Sequence, residues 1–344
     1  MHKQSRIFVA GHKGLVGSAI VRRLKEDGYE NIITRTRQEV DLVDPVAVEN
    51  FFRDNQIDFV FDAAARVGGI HANDAYSAEF IYQNTQIQMN LIHYAYKWHV
   101  KKFLFLGSVC IYPKFAETPV KEESLMSGEL EPTNEAYAIA KIHGIEMLKM
   151  YHKQYGFKGV SLMPANLYGP NDNFHPENGH VIPALMTKFN NACITPSNPD
   201  ESDEIESQKQ ELTVTCWGDG TPMREFLYVD DLADACMFAM EHYENAELLN
   251  VGSGEDISIF HLAHKVAAVT GYTGKIEWDT SRPNGTPKRP LDYSKLTAKG
   301  WKPKYTLEKG LAEAYKWFIA VSYTHLRAHE TREDLVCRRL REKK

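Results

Sequence analysis

Cysteine is scarce in this chain and never paired at short range. Five occur among 344 residues (Cys110, Cys193, Cys216, Cys236 and Cys337), odd in number and scattered. With no C-x-x-C unit, neither a disulfide framework nor a thiolate zinc site is indicated. Long apolar runs are missing too, so nothing reads as a membrane span. The opening MHKQSRIFVAG enters a strand almost at once, without an apolar signal core. That predicts no secretory peptide and a reducing, cytoplasmic setting. Positive charge is not in excess either. Forty Lys and Arg against 46 Asp and Glu leave −6, a poor match for nucleic acid. Residues 322–344 hold seven Lys/Arg and four Asp/Glu, a net of +3, so the remainder carries −9. An anionic ligand must therefore meet a few placed cations, not a basic surface.

What is present is ordinary globular material: 43% hydrophobic and 25% charged residues, at a length that predicts two domains. RIFVAG, NIITRT, IDFVFDAAA, KKFLFLGS and GVSLMPANLYG read as buried strands without polar alternation, the mark of a parallel sheet. Helical stretches over Val16–Asp27, Ala47–Asp54, Ala78–Trp98 and Glu135–Tyr155 alternate with them. The rhythm predicts an α/β fold, a Rossmann-type doubly wound parallel sheet, with a smaller α/β substrate domain. The nucleotide-binding part is expected over residues 1–174, and REFLYVDDLADACMFAM and LLNVGSG are expected to rejoin its sheet at about 225–257. The substrate domain then takes 175–224 and 258–320. Residues 195–211 read as a solvated acidic insertion. In the tail, 321–344, His325 and His329 stand four apart without the glutamate of HExxH, so no metal site is read. The tail resembles translated sequencing-adapter sequence and is assigned no function.

GHKGLVG sets Gly11, Gly14 and Gly17 three residues apart, between a strand and a helix. Such glycines let backbone approach a pyrophosphate that the helix N-terminus stabilises, although a glycine turn that binds nothing has the same pattern. NAD sites usually close the second strand with an acidic residue; here TRTRQEVDL offers Arg35 and Arg37, and the glycine loop offers Lys13. Cations there suit a 2′-phosphate, so NADPH/NADP+ is the expected cofactor.

YAIAK places Tyr137 and Lys141 on one helix face. A tyrosine with a free pKa of ~10 is a weak acid–base near neutrality, and a neighbouring ammonium is expected to bring it toward working range. Ser108, at a strand end, can donate to the same carbonyl oxygen. With the glycine triplet, these residues resemble the extended short-chain dehydrogenase/reductase superfamily. Longer strings (AGHKGLVGSAI, AAARVGGIHAN, FIYQN, GSVCIYP, EPTNEAYAIAK, NLYGPNDNFHPENGHVIPAL and GTPMREFLYVDD) are similar to its GDP-sugar 3,5-epimerase/4-reductases, from about Ile7 to about Phe318.

That resemblance implies an NADPH-dependent enzyme acting on GDP-4-keto-6-deoxy-D-mannose, with Cys110 as base, His180 as acid and Ser108, Tyr137 and Lys141 reducing C4. On the residues alone, Cys110 reads more readily as a small buried hydrophobe at a strand end, the commoner fate of a free cysteine. The resemblance further implies cofactor contacts from His12, Leu15 and Val16 beside the glycines and Lys13. Arg37, Asp41 and Leu42 follow the second strand; Leu106, Gly107 and Ser108 follow the fourth. Pro164, Ala165, Asn166, Leu167, Lys141 and His180 complete that set. Contacts to the GDP-sugar fall on Lys188, Trp217, Arg224, Asn284 and Arg289, with Lys288 a further candidate cation. Relatives carry arginine at Lys188 and aspartate at Asn284, and Trp217 reads equally as core. Stretches Ala78–Trp98 and Glu135–Tyr155 correspond to helices that pair two subunits in the superfamily, implying a homodimer. Another sugar-nucleotide epimerase or reductase, and a non-catalytic NADP-binding regulator, are the alternative readings.

Overall fold

The computed structural model describes residues 1–176, 179–194, 212–282, 288 and 290–322. Strand β1 (Ile7–Ala10) turns through the glycines into α1 (Leu15–Glu26). There follow β2 (Ile32–Ile33), α2 (Pro45–Asn55), β3 (Phe59–Asp62), α3 (Ile70–Ala75), α4 (Ser77–Lys97) and β4 (Lys102–Leu106). Next come α5 (Glu135–Tyr155), β5 (Gly159–Pro164), β6 (Asn166–Tyr168), α6 (Val181–Ile194), β7 (Thr213–Trp217) and β8 (Met223–Tyr228). The chain continues through α7 (Val229–His242), β9 (Asn245–Val251), β10 (Asp256–Ser258), α8 (Ile259–Thr270), β11 (Lys275–Asp279) and α9 (Ser294–Ala298). A last described helix covers 307–322.

Local chemistry sets these bounds. Asp44 caps α2 by accepting the Val46 amide at 2.8 Å, and Pro45 occupies the first helical position. Gly156 ends α5 in the left-handed conformation that a side chain resists.

The principal sheet is six-stranded and wholly parallel, in the order β2-β1-β3-β4-β5-β9. Its central strands β1, β3, β4 and β5 are buried on both faces, hence their near-continuous apolar sequences, whereas the two-residue edge strand β2 is only half-buried. The strand order reverses between β1 and β3, and there a crevice opens at the carboxyl ends.

One expectation fails. β9 joins the principal sheet, but β8 does not: it is the centre of a three-stranded sheet, antiparallel to β10 and parallel to β6. β6 is the reason. The run read as one strand, GVSLMPANLYG, divides after Pro164, and its second part leaves the principal sheet and carries β8 with it. A two-stranded parallel sheet of β11 and β7 lies beyond. Tyr168, Met186, Phe189, Leu262 and Val266 belong to a second apolar core under these small sheets. The expected features of 195–211 and of the tail from 323 fall outside the described residues. Among the described residues, no helix is long and apolar enough to cross a membrane.

Candidate functional site

The turn after β1 is built for close approach. Gly11 has φ +74, and a Cβ there would lie 2.5 Å from the Ala63 carbonyl oxygen; a Cβ on Gly17 would collide with the Gly11 carbonyl. Gly14 starts α1 without any side-chain cap, which leaves the first helical amides to a ligand. Arg35 and Arg37 line the same cavity. Arg35 is anchored to the Thr34 carbonyl at 2.8 Å, and the exposed Arg37 meets Asp41 at 3.5 Å. A side-chain-free cradle with two guanidiniums beside it fits a dinucleotide bearing a 2′-phosphate.

At the other end of this cavity, β4 stops at Leu106 and Ser108 begins a single 3-10 turn, Val109–Ile111. Tyr137 and Lys141 lie in the first turns of α5. The Lys141 ammonium is buried, donates to the Leu106 carbonyl at 2.8 Å, and lies 4.8 Å over the Phe105 ring. Burial depresses its pKa, with Asp62 and Cys110 opposing the fall. Tyr137 departs from expectation. Burial, then the charges at Cys110 and Asp62, push its phenol well above the ordinary value. Sequence spacing places Lys141 on the tyrosine's face but does not reveal that its proton is engaged by Leu106. A phenol held neutral is a proton donor, the form a nascent alkoxide consumes.

Cys110 sits inside the 3-10 turn, 7% exposed. His180 lies at the start of α6 and is far more open, with its side chain 53% exposed. Its Nδ1 meets Asp172 Oδ1 at 3.3 Å. That hydrogen bond raises the imidazole pKa, against the effect of burial. Asp172 also accepts the Asn173 amide at 2.8 Å, while its Oδ2 is buried without a hydrogen-bond partner among the described residues. The loop is tied to α1 by Asn171, whose amide donates to Ser18 Oγ at 3.0 Å.

One cavity of about 880 Å³ is lined by Ser108, Cys110, Tyr137, Lys141 and His180 together with Gly11, Gly14, Leu15 and Val16. Asp41, Leu42, Leu106 and Gly107 also line it, as does the run Pro164–Leu167. His12, Lys13 and Gly17 do not. Two lining or adjoining carboxylates were not singled out by sequence reasoning. Asp172 was hidden in NDNFHP, because its pairing with His180 needs the loop to close. Asp62 interrupts the apolar run of IDFVFDAAA, a visible signal.

The residues expected to hold the GDP-sugar are only partly gathered. The Lys188 ammonium lies 5.5 Å from the Trp217 ring, and Arg282, which was not anticipated, lies 5.0 Å from it. Trp217 is 52% exposed, so it is not core. Arg224 lies on β8 and donates to the Met223 carbonyl at 2.8 Å; Lys188, Trp217 and Arg224 do not line the 880 Å³ cavity. Lys288 pairs with Asp256 at 3.1 Å. Asn284 and Arg289 lie outside the described residues. Among the described residues, no group of three or more His, Cys, Asp or Glu could hold a metal ion.

Residues 7–252 match the NAD dependent epimerase/dehydratase family. The chain is 53% identical over 319 residues to a putative GDP-L-fucose synthase 2 of Arabidopsis thaliana, covering 93% of each. Among solved structures, a GDP-6-OMe-4-keto-L-xylo-heptose reductase from C. jejuni superposes with a TM-score of 0.85 at 36% identity, over 93% of this chain and 99% of that one. A GDP-L-fucose synthetase from Naegleria fowleri bound to NADP gives 0.82 at 26% identity, over 94% and 97%.

Proposed function

This chain belongs to the NAD dependent epimerase/dehydratase family, and on that premise we propose that it converts GDP-4-keto-6-deoxy-D-mannose to GDP-L-fucose with NADPH. The observation that carries the reading is the single cavity lined by both residue sets, Cys110 with His180 and Ser108 with Tyr137 and Lys141, beyond a glycine cradle with two arginines.

The C4 ketone acidifies the hydrogens at C3 and C5, since either carbanion delocalises onto O4. Cys110 removes such a proton and His180 returns one on the opposite face. Asp172 keeps His180 loaded for this, and the open position of His180 lets it take a new proton from water between the two epimerisations. Ser108 and Tyr137 donate to O4 throughout, first to the enolate and then to the alkoxide. NADPH, when bound, supplies the hydride to C4. Tyr137 supplies the accompanying proton, and Lys141 holds the strand end through Leu106.

The GDP part is assigned to Lys188, Trp217 and Arg224, with Asn284 and Arg289. Nucleotide binding is assigned to residues 1–174 with α7 and β9, 229–251, and the GDP-sugar to 175–228 and 252–320. The proposal includes a homodimer through α4 and α5, a reading supported by exposed apolar side chains on these two packed helices, Tyr82, Met89, Ile139 and Met150 among them. It also includes a cytoplasmic location, which the few scattered cysteines support.

Resemblance to the heptose reductase favours a second reading, a plain 4-ketoreductase. The test is turnover in heavy water. NADPH oxidation with deuterium at both C3 and C5 of the product is expected, whereas reduction without deuterium selects the second reading. No oxidation despite tight NADPH binding would favour the non-catalytic regulator.

A further inference from the structure

A buried carboxylate just behind the lining of this cavity, next to Ala63, has no part in the steps above. Asp62 ends β3, is 1% exposed, and accepts the Ala64 amide on Oδ1 at 3.1 Å. Its Oδ2 is buried and has no hydrogen-bond partner among the described residues. A carboxylate stripped of water and half unpaired opposes folding, so its presence points to a use for the charge. Its position suggests the use. Asp62 is the register partner of Phe105 on β4, over whose ring the Lys141 ammonium lies, and Lys141 donates to the next carbonyl, that of Leu106. Asp62, Lys141, Tyr137 and Cys110 are the charged or titratable groups that act on one another at this strand end.

We propose that Asp62 is a positioning residue that keeps both Lys141 and Tyr137 in their proton-bearing forms during ketone reduction, its buried negative charge pairing with the ammonium and opposing ionisation of the phenol. The proposal rests on the reductase reading above.

A carboxylate raises the pKa of any group that becomes more negative on losing its proton, so it acts in the same sense on an ammonium and on a phenol. Burial depresses Lys141, and Asp62 is the first influence opposing that fall; on Tyr137 the Asp62 charge adds to burial and raises the phenol further. The Asp62 carboxyl is itself pushed up to about 6, by burial against the pull of Lys141. It is therefore ionised, and acts, above about pH 6. Below that it is neutral and its influence disappears.

The test is Asp62→Asn, with Asp62→Leu as the second variant in case the amide does not fold. In protein carrying ¹³C at lysine Cε, followed by NMR, the Lys141 midpoint should fall by about one pH unit or more in either variant. In steady-state reduction, the variants should approach wild type toward about pH 5, where Asp62 is mostly neutral, and fall about tenfold behind at about pH 8.5. An unchanged Lys141 midpoint, or a defect of equal size at every pH, would overturn the proposal. If the wild-type protein reduces no 4-keto GDP-sugar, the reductase reading fails, and the Lys141 midpoint alone then decides whether Asp62 is its counter-charge.

Discussion

The two walls of the central cavity differ in access to water, and the proton donors proposed for its two reactions divide along that line. The wall formed by β3, β4 and α5 is dry: Asp62 and Lys141 are 1% and 3% exposed, and the phenol of Tyr137 is driven up by burial. The wall formed by the loop before α6 is open, with His180 53% exposed over a buried aspartate. A dry wall stabilises charge developing on a ketone oxygen, because fixed donors there face no competition from solvent. An open wall lets a proton donor reload. A reaction of two proton exchanges followed by one reduction needs both.

The largest effect that should break this division comes from Tyr137→Phe. Reduction is expected to fall by about 10²–10⁴-fold, the range for loss of a general acid. Deuterium exchange into C3 and C5 of the ketone should continue, since Ser108 still donates to O4. Next is Cys110→Ser, with isotope exchange down about 10²-fold or more, because a serine hydroxyl has a far higher pKa than a thiol and is almost never ionised to act as a base. In that variant a ketone already of the product configuration should still be reduced.

Asp172→Asn sharpens the comparison through pH. Asp172 holds the His180 pKa above its ordinary value, so the imidazolium persists to higher pH than that of a free histidine. Losing the carboxylate returns the pKa toward ~6.5 and moves the alkaline limb of isotope exchange to lower pH. A drop of about tenfold in exchange at about pH 8, shrinking toward about pH 6, is the expected result, read from rates across that range. The smallest effect is at the far end of the cavity. Arg37→Ala removes an exposed guanidinium already paired with Asp41 and should weaken NADPH by about fivefold, with NADH little changed, as measured by titration calorimetry.

Much of the dry wall is legible in sequence. Helix α5 runs over the expected Glu135–Tyr155, and the buried strands announce themselves by unbroken apolar runs. Local pattern is less informative about partners. β8 has the composition of a principal-sheet strand, yet it pairs with β6 and β10, because nothing within REFLYV records which edge is free. Asp172 and His180 stand eight positions apart in a sequence stretch without a periodic pattern. The phenol of Tyr137 was misjudged for a related reason: spacing gives the face of a helix, whereas a pKa depends on where the ammonium proton goes and how much water remains.

The most direct test of the division is Tyr137→Phe incubated with GDP-4-keto-6-deoxy-D-mannose and NADPH in heavy water, with mass and NMR analysis of the recovered sugar. The account predicts deuterium at C3 and C5 of unreduced ketone, with NADPH oxidation nearly absent. Loss of both exchange and reduction would contradict it, because exchange would then need the phenol and not only Cys110, His180 and Ser108.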